Sequence, residues 1–299
     1  MFPAPIQRVL IVLGVIVGGA ALLLIAAPLR PMDGSSGLTL LSARVGVAGA
    51  CGLLALAALP AVVFALITSA RGNPVAGPFI MGLALAFLAS AGGSSIGWLW
   101  RAALPGDYRL LIIETLVWFT ALLLLIVAMQ TARVYSGTRW PTLLSPHHPG
   151  SRAQFRLPKL EALLAALVCA VIGGGLSHIM IASAQTGQII GSLLVAFTIA
   201  ALVTQLIFPH LTNPATMLFS PMIVALVGYA YMLTIKSSND VLEALNHGRL
   251  TGLALALPIH YASAAVAGCA LGIGWAHGFL TSEQDAEETA RAIDETQTT

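Results

Sequence analysis

Three ionisable side chains lie inside long apolar stretches of this 299-residue chain, where charged or proton-carrying groups are uncommon. Glu114 occurs in Leu-Ile-Ile-Glu-Thr-Leu, His178 in Gly-Leu-Ser-His-Ile-Met, and His260 in Leu-Pro-Ile-His-Tyr-Ala. Such groups are costly in a bilayer, so they usually face protein or water and often mark ion or proton paths. Together they could bind a cation or relay protons, and the two histidines could ligate a haem.

Each of these residues also has a plainer structural interpretation. Glu114 lies about one and a half turns into its stretch, so it could reach lipid headgroups or pair with Arg101 or Arg109. Either histidine could simply hydrogen-bond to a neighbouring helix. Tyr261 adjoins His260 and completes the set of candidate ligand-binding residues. Both interpretations stay open at this stage.

Proline and glycine at apolar positions predict where helices could break. Pro60 and Pro258 each fall within an apolar stretch, where proline removes a backbone hydrogen bond and bends a helix. Gly92 and Gly93, followed by two serines, could loosen a third stretch. Broken helices line the substrate sites of many transporters, so these four residues are candidates for helix breaks near a site.

The elements that must position these residues are long apolar stretches. Hydrophobic residues make up 58% of the chain and charged residues 9%, against about 25% charged in soluble domains. A stretch of about 20 apolar residues crosses a bilayer as a helix. The sequence therefore predicts an all-α, polytopic transmembrane bundle with about eight spans, near 8–28, 45–68, 78–100, 109–131, 160–182, 188–208, 217–235 and 252–277.

These spans leave no room for a separate soluble domain of ordinary size. We expect a single membrane domain over 1–281 and an acidic cytoplasmic tail over 282–299. The segment 209–222, which contains three prolines, could be a loop or a re-entrant segment.

The distribution of lysine and arginine predicts the orientation. The loop 133–159 carries five of these residues, and cytoplasmic loops are enriched in them. Placing this loop inside puts both termini in the cytoplasm, with eight basic residues inside and six outside. We expect a multi-pass protein of the cell inner membrane with Glu114, His178 and His260 in the outer third of the bilayer.

Two short strings suggest an internal repeat. Asn73-Pro74 precedes the third span and Asn213-Pro214 precedes the seventh, while Gly18-Gly19 in the first span resembles Gly173-Gly174 in the fifth. Two units of four spans each would share one orientation, as in many transporters. The alternative is a chance match between apolar strings rich in glycine and proline.

The sequence lacks the motifs of several common classes of enzyme and metal site. The sequence has no His-Glu-x2-His, no phosphate loop and no Cys-x2-Cys motif. We therefore predict no catalytic residues and no metal site, and leave open whether the chain is an enzyme. A cofactor is not identified. No dense basic face favours nucleic acid, so the expected partners are the lipid bilayer, a second copy of the chain or other membrane proteins.

Two functions remain in view. The first is a small transporter or permease-like protein for a small neutral or cationic solute, which the ionisable residues would serve. The second is a non-catalytic membrane subunit of a larger complex, carrying a lipid or a redox cofactor. A transporter needs two access states, whereas a subunit should extract from the membrane together with its partners.

Overall fold

A computed structural model describes most of the apolar part of the chain. The described residues are 4–31, 36–70, 75–95, 97, 108–139, 159–209, 211, 214–234, 241, 243–244, 247 and 250–280, with backbone only for 4, 133–139 and 214. The proposed tail lies outside these residues, as do Asn73 and Asn213 of the proposed repeat and most of the basic loop.

Eight principal helices occur among the described residues. They are α1 Ala4–Leu24, α2 Gly46–Ala70, α3 Ala76–Ala91, α4 Tyr108–Arg139, α5 Leu160–Met180, α6 Thr186–Ile207, α7 Ser220–Met232 and α8 Pro258–Leu280. In this described part of the chain, seven apolar segments are long enough to cross a membrane, and α3, with 16 residues, is shorter. The predicted all-α multi-pass bundle is confirmed.

Two predicted spans have different boundaries in the structure. The third span was expected to reach residue 100, but α3 ends at Ala91. The eighth was expected to be continuous from 252, but a short helix, Gly252–Leu255, is separated from α8 by extended backbone at Ala256 and Leu257. The segment 209–222 contains a 3-10 helix, Pro214–Phe219, that leads directly into α7.

The four predicted helix breaks have three outcomes. Pro60 lies inside α2, which continues on both sides of it, so the expected break is absent there. Gly92 and Gly93 do not loosen a helix but end it, with Gly93 in the left-handed conformation (φ 73°) that glycine commonly supplies after a helix. Pro258 does not bend a helix from within, because it occupies the first turn of α8, where its missing N–H costs nothing.

Packing follows two similar groups of helices. In the first half α1 packs on α2 and α3, and in the second half α5 packs on α6 and α7. Across the halves, α3 packs on α8 and α7 packs on α4. The repeat is not confirmed by these pairings alone, and it stays a prediction.

Glu114, His178 and His260 lie at the same end of the bundle. At this end, called the Glu114 end, α1, α3, α5 and α7 finish and α2, α4, α6 and α8 begin. Contacts join the elements there: Arg30 donates to the Ala91 carbonyl (3.1 Å), and the Ser95 N–H donates to the Ala184 carbonyl (3.1 Å).

Candidate functional site

Glu114 faces the interior of the bundle. Its side chain is 1% exposed and belongs to a buried stripe on α4 that recurs every three or four residues, the spacing of one helix face. The stripe consists of Leu111, Glu114, Thr115, Trp118, Leu122, Ile126 and Met129. Arg109, the cationic partner considered from the sequence, is exposed. Glu114 is therefore turned into protein rather than toward the surface.

A small cavity, lined by buried residues, adjoins the Glu114 carboxyl group. Its volume is about 10 Å³ for the centre of a water-sized sphere, roughly the space that one water molecule needs. The Trp118 indole Nε1 donates to Glu114 Oε1 at 3.4 Å, a long hydrogen bond. The backbone N–H groups of Leu40 and Leu41 also interact with the carboxyl group. Oε2 nevertheless has no partner with hydrogen-bond geometry among the described residues.

The non-helical segment 36–45 covers this cavity. Leu38, Thr39 and Leu40 line it and are at most 7% exposed. Backbone hydrogen bonds fix the segment to neighbouring elements, from the Gly37 N–H to the Gly92 carbonyl (2.8 Å) and from the Arg44 N–H to the Arg30 carbonyl (3.1 Å). The segment therefore forms a cover over Glu114 that is held by these backbone contacts and by the buried side chains of Leu38, Leu40 and Ala43.

The interruption before α8 forms the other side of the site. Ile259, in the first turn of α8, lines the cavity beside Glu114. Extended backbone at Ala256 and Leu257 leaves carbonyl groups that a continuous helix would satisfy, and buried carbonyls need partners. Tyr229 donates its hydroxyl to the Ala256 carbonyl at 2.6 Å, and Tyr261 donates to the Leu253 carbonyl at 2.9 Å.

Three buried tyrosines pack in series here. The Tyr108 and Tyr229 ring centroids are 6.1 Å apart, and those of Tyr229 and Tyr261 are 6.3 Å apart with nearly perpendicular planes. All three are fully buried. They join α4, α7 and α8 around the interrupted backbone. Tyr261 is thus a support for the helix break, and its predicted part in ligand binding stays a prediction.

His260 has a structural role in this arrangement. It is 2% exposed, and its Nδ1 accepts a hydrogen bond from the Leu257 N–H at 2.9 Å. This is the reciprocal contact of a helix cap, in which a side chain in the first turn reaches back to the residue before the helix. An imidazole that accepts at Nδ1 is neutral and carries its proton on Nε2. His260 therefore fixes the start of α8.

His178 lies at the same end of the bundle but in a different environment. Its side chain is exposed, and its Nδ1 lies 3.1 Å from Thr251 Oγ1. It lines a groove of about 880 Å³, whereas Glu114 lines the small cavity among buried residues. The structure thus buries two of the three ionisable candidates in protein and leaves the third at a separate surface.

Sequence reasoning missed two parts of this site. Segment 36–45 has no motif, and only the fold places it over Glu114. Tyr108 and Tyr229 did carry a signal, since both lie near span ends, but tyrosines there usually mark the membrane interface. The sequence alone could not show whether these two tyrosines lie at the membrane interface or are buried inside the bundle.

The described residues contain no group of three His, Cys, Asp or Glu side chains placed to hold a metal ion. His178 and His260 occupy different environments, and this separation disfavours the haem hypothesis. Comparison with protein-family models, curated proteins and solved structures finds no match for this chain.

Proposed function

We propose that this chain is a small transporter or permease-like protein of the inner membrane, and that Glu114 couples solute movement to a proton or another small cation. The observation that carries this proposal is the Glu114 carboxyl group, which is buried beside a small cavity and has Oε2 unpartnered among the described residues. No lysine, arginine or histidine occurs among the described residues that line this cavity.

The energetics of the carboxyl group support this proposal. An ionised carboxylate without a cationic partner is expensive away from water, so the group must hold a proton or meet an incoming cation. A glutamine could still accept hydrogen bonds from Trp118 Nε1 and the Leu40 and Leu41 N–H groups, without the cost of burying an ionisable acid. An acid at this position therefore lowers the stability of the protein. A role in proton or cation exchange would explain why the residue is an acid.

The elements around Glu114 also support transport. An interrupted helix at membrane depth is typical of transporters, because its free backbone groups can bind a solute or an ion. Here the interruption at Ala256 and Leu257 lies next to Ile259 of the cavity. On the other side, segment 36–45 is the non-helical cover of the cavity, and displacement of this segment would open Glu114 to the nearby aqueous phase.

The first test is proton movement. Full-length protein is reconstituted into liposomes that contain a trapped pH indicator, and a panel of neutral and cationic solutes is added in turn. At least one solute should drive proton movement. Glu114→Gln should slow it at least tenfold, on the scale of removing an acid–base group. Glu161→Gln is the matched control, because Glu161 is exposed in the first turn of α5. An unchanged rate in Glu114→Gln would exclude the coupling role.

The second test needs no known solute. A single cysteine at Thr39, in a chain lacking Cys51, Cys169 and Cys269, reports access to the cavity. Its labelling by a membrane-impermeant maleimide, divided at each pH by the labelling rate of a free thiol, should change with pH, and Glu114→Gln should abolish this normalised change. If pH and all solutes leave labelling unchanged and no solute moves protons, the transporter proposal fails. Extraction with stoichiometric partners would then favour the subunit hypothesis.

A further inference from the structure

The groove that contains His178 has three fixed walls at the Glu114 end of the bundle. They are the last turn of α5 with the following residues 181–184, the second half of α7, and the short helix Gly252–Leu255. Its volume of about 880 Å³ falls in the range of small-molecule sites, roughly 300–1,000 Å³. The groove is separate from the small cavity at Glu114, although both lie next to the extended backbone at Ala256 and Leu257.

Close glycine contacts make the floor of the groove rigid. A Cβ at Gly252 would lie 2.6 Å from the Ile181 carbonyl oxygen, and a Cβ at Gly228 would lie 3.0 Å from the Leu253 Cβ. These glycines let the short helix approach α5 and α7 more closely than any other residue would allow. Tyr261 fixes the same short helix through the Leu253 carbonyl. The groove is therefore preformed.

The groove has a polar part and an apolar part. The polar part consists of His178, Thr251 and Ser183, with His178 Nδ1 and Thr251 Oγ1 3.1 Å apart. The apolar part includes Val227 and Tyr231, which are 61% and 59% exposed on the second half of α7. In a protein whose helices span a bilayer, such exposed side chains face lipid chains, so the apolar part continues the lipid-facing surface.

We infer that this groove binds one bilayer lipid, with the glycerol–ester region of the lipid against His178 and Thr251 and an acyl chain along Val227 and Tyr231. Side chains with a polar end and an apolar body are common near the membrane interface. A lipid has the same arrangement, with a polar ester region and apolar acyl chains, and so matches the polar and apolar parts of the groove. The described lining contains no lysine or arginine. Recognition therefore depends on neutral hydrogen bonds and not on the charge of the headgroup.

This inference does not depend on transport, and its test uses lipid binding alone. The full chain is purified in mild detergent, washed free of bulk lipid and incubated with vesicles of phosphatidylethanolamine or phosphatidylglycerol. Native mass spectrometry then counts lipids per chain. We expect one retained lipid with either headgroup. Val227→Trp should fill the apolar part and reduce retention about tenfold, a loss of the size expected when a ligand's pocket is occupied.

Val171→Trp is the matched control, because Val171 is 67% exposed on α5 and does not line the groove. His178→Ala is a second variant at an exposed position and should reduce retention several-fold through loss of one hydrogen bond. Equal retention in the Val227→Trp and Val171→Trp proteins would overturn the inference, as would retention of detergent only. A dimer that Val227→Trp converts to a monomer would instead assign the groove to a protein interface, and strict dependence on phosphatidylglycerol would contradict the neutral recognition of the headgroup.

Discussion

At the scale of single residues, the ionisable groups divide into different roles although the sequence presents them alike. Glu114 is buried with one carboxyl oxygen unpartnered among the described residues. His260 is equally buried, but its ring satisfies the Leu257 N–H. His178 is exposed beside Thr251. Burial and unsatisfied hydrogen-bonding capacity together distinguish the candidate coupling residue from a helix cap, and neither property is visible in the sequence.

Tyr229 tests whether the interruption before α8 is maintained by side chains. Tyr229→Phe removes the hydroxyl group that donates to the Ala256 carbonyl, and Ala256 is fully buried. We expect a loss of about 1–2 kcal/mol in the free energy of unfolding, because a buried acceptor is left unsatisfied. Denaturant titration of the protein in mixed micelles measures this loss. Tyr231→Phe is the control, since Tyr231 is 59% exposed on the same helix, and should change stability by less than about 0.5 kcal/mol. Equal effects of the two substitutions would contradict the proposed support.

At the scale of helices, the apolar stretches identified all eight principal elements, but two of their ends were wrong for a common reason. Gly92-Gly93 and Ala256-Leu257 are apolar, so hydropathy continues through them while the backbone leaves the helix. The buried face of α4 could not be predicted either. Apolar residues surround this helix on every side, so its sequence does not distinguish a protein-facing side from a lipid-facing side.

Gly268 and Gly272 of α8 and Gly187 and Gly191 of α6 form Gly-x3-Gly pairs, a spacing that allows helices to approach closely. The structure shows that the pair in α8 is packed and the pair in α6 is open. A Cβ at Gly268 or Gly272 would overlap backbone of α6, at the Leu194 and Thr198 carbonyl oxygens, whereas Gly191 has nothing within 4 Å. Gly272→Ala should therefore lower the free energy of unfolding by about 1–3 kcal/mol through overpacking. Gly191→Ala, the matched control in α6, should be neutral or raise it by up to about 1 kcal/mol. Equal destabilisation by both would mean that close approach of α6 and α8 is not what these glycines provide.

At the scale of the whole molecule, the glycines bear on the proposed repeat. Gly18 of α1 lies against Ala61 of α2, and Gly173 of α5 lies against Phe197 of α6. Their neighbours continue the correspondence, because Gly19 meets α3 at Phe87 and Gly174 meets α7 at Val224. Matched glycines thus pack on matched helices, as two related units of four would require. The matching Asn-Pro pairs are not in the described part of the chain apart from the backbone of Pro214.

Reporter fusions can determine how many times the chain crosses the membrane and on which side its termini lie. Eight crossings with both termini in the cytoplasm follow from the apolar stretches and the basic loop 133–159. Topology reporters fused after residues 35, 107, 186 and 240 should report the outside, and reporters after 150 and at the C-terminus should report the cytoplasm.

Helix α3 is the decisive element, because its 16 residues span about 24 Å at 1.5 Å per residue, less than the ~30 Å hydrocarbon core. A reporter after residue 75 should therefore be cytoplasmic and one after 107 external if α3 crosses with local thinning of the bilayer. If both report the same side, α3 does not cross. The chain would then have seven crossings, matching the seven segments of sufficient length, and the termini would lie on opposite sides.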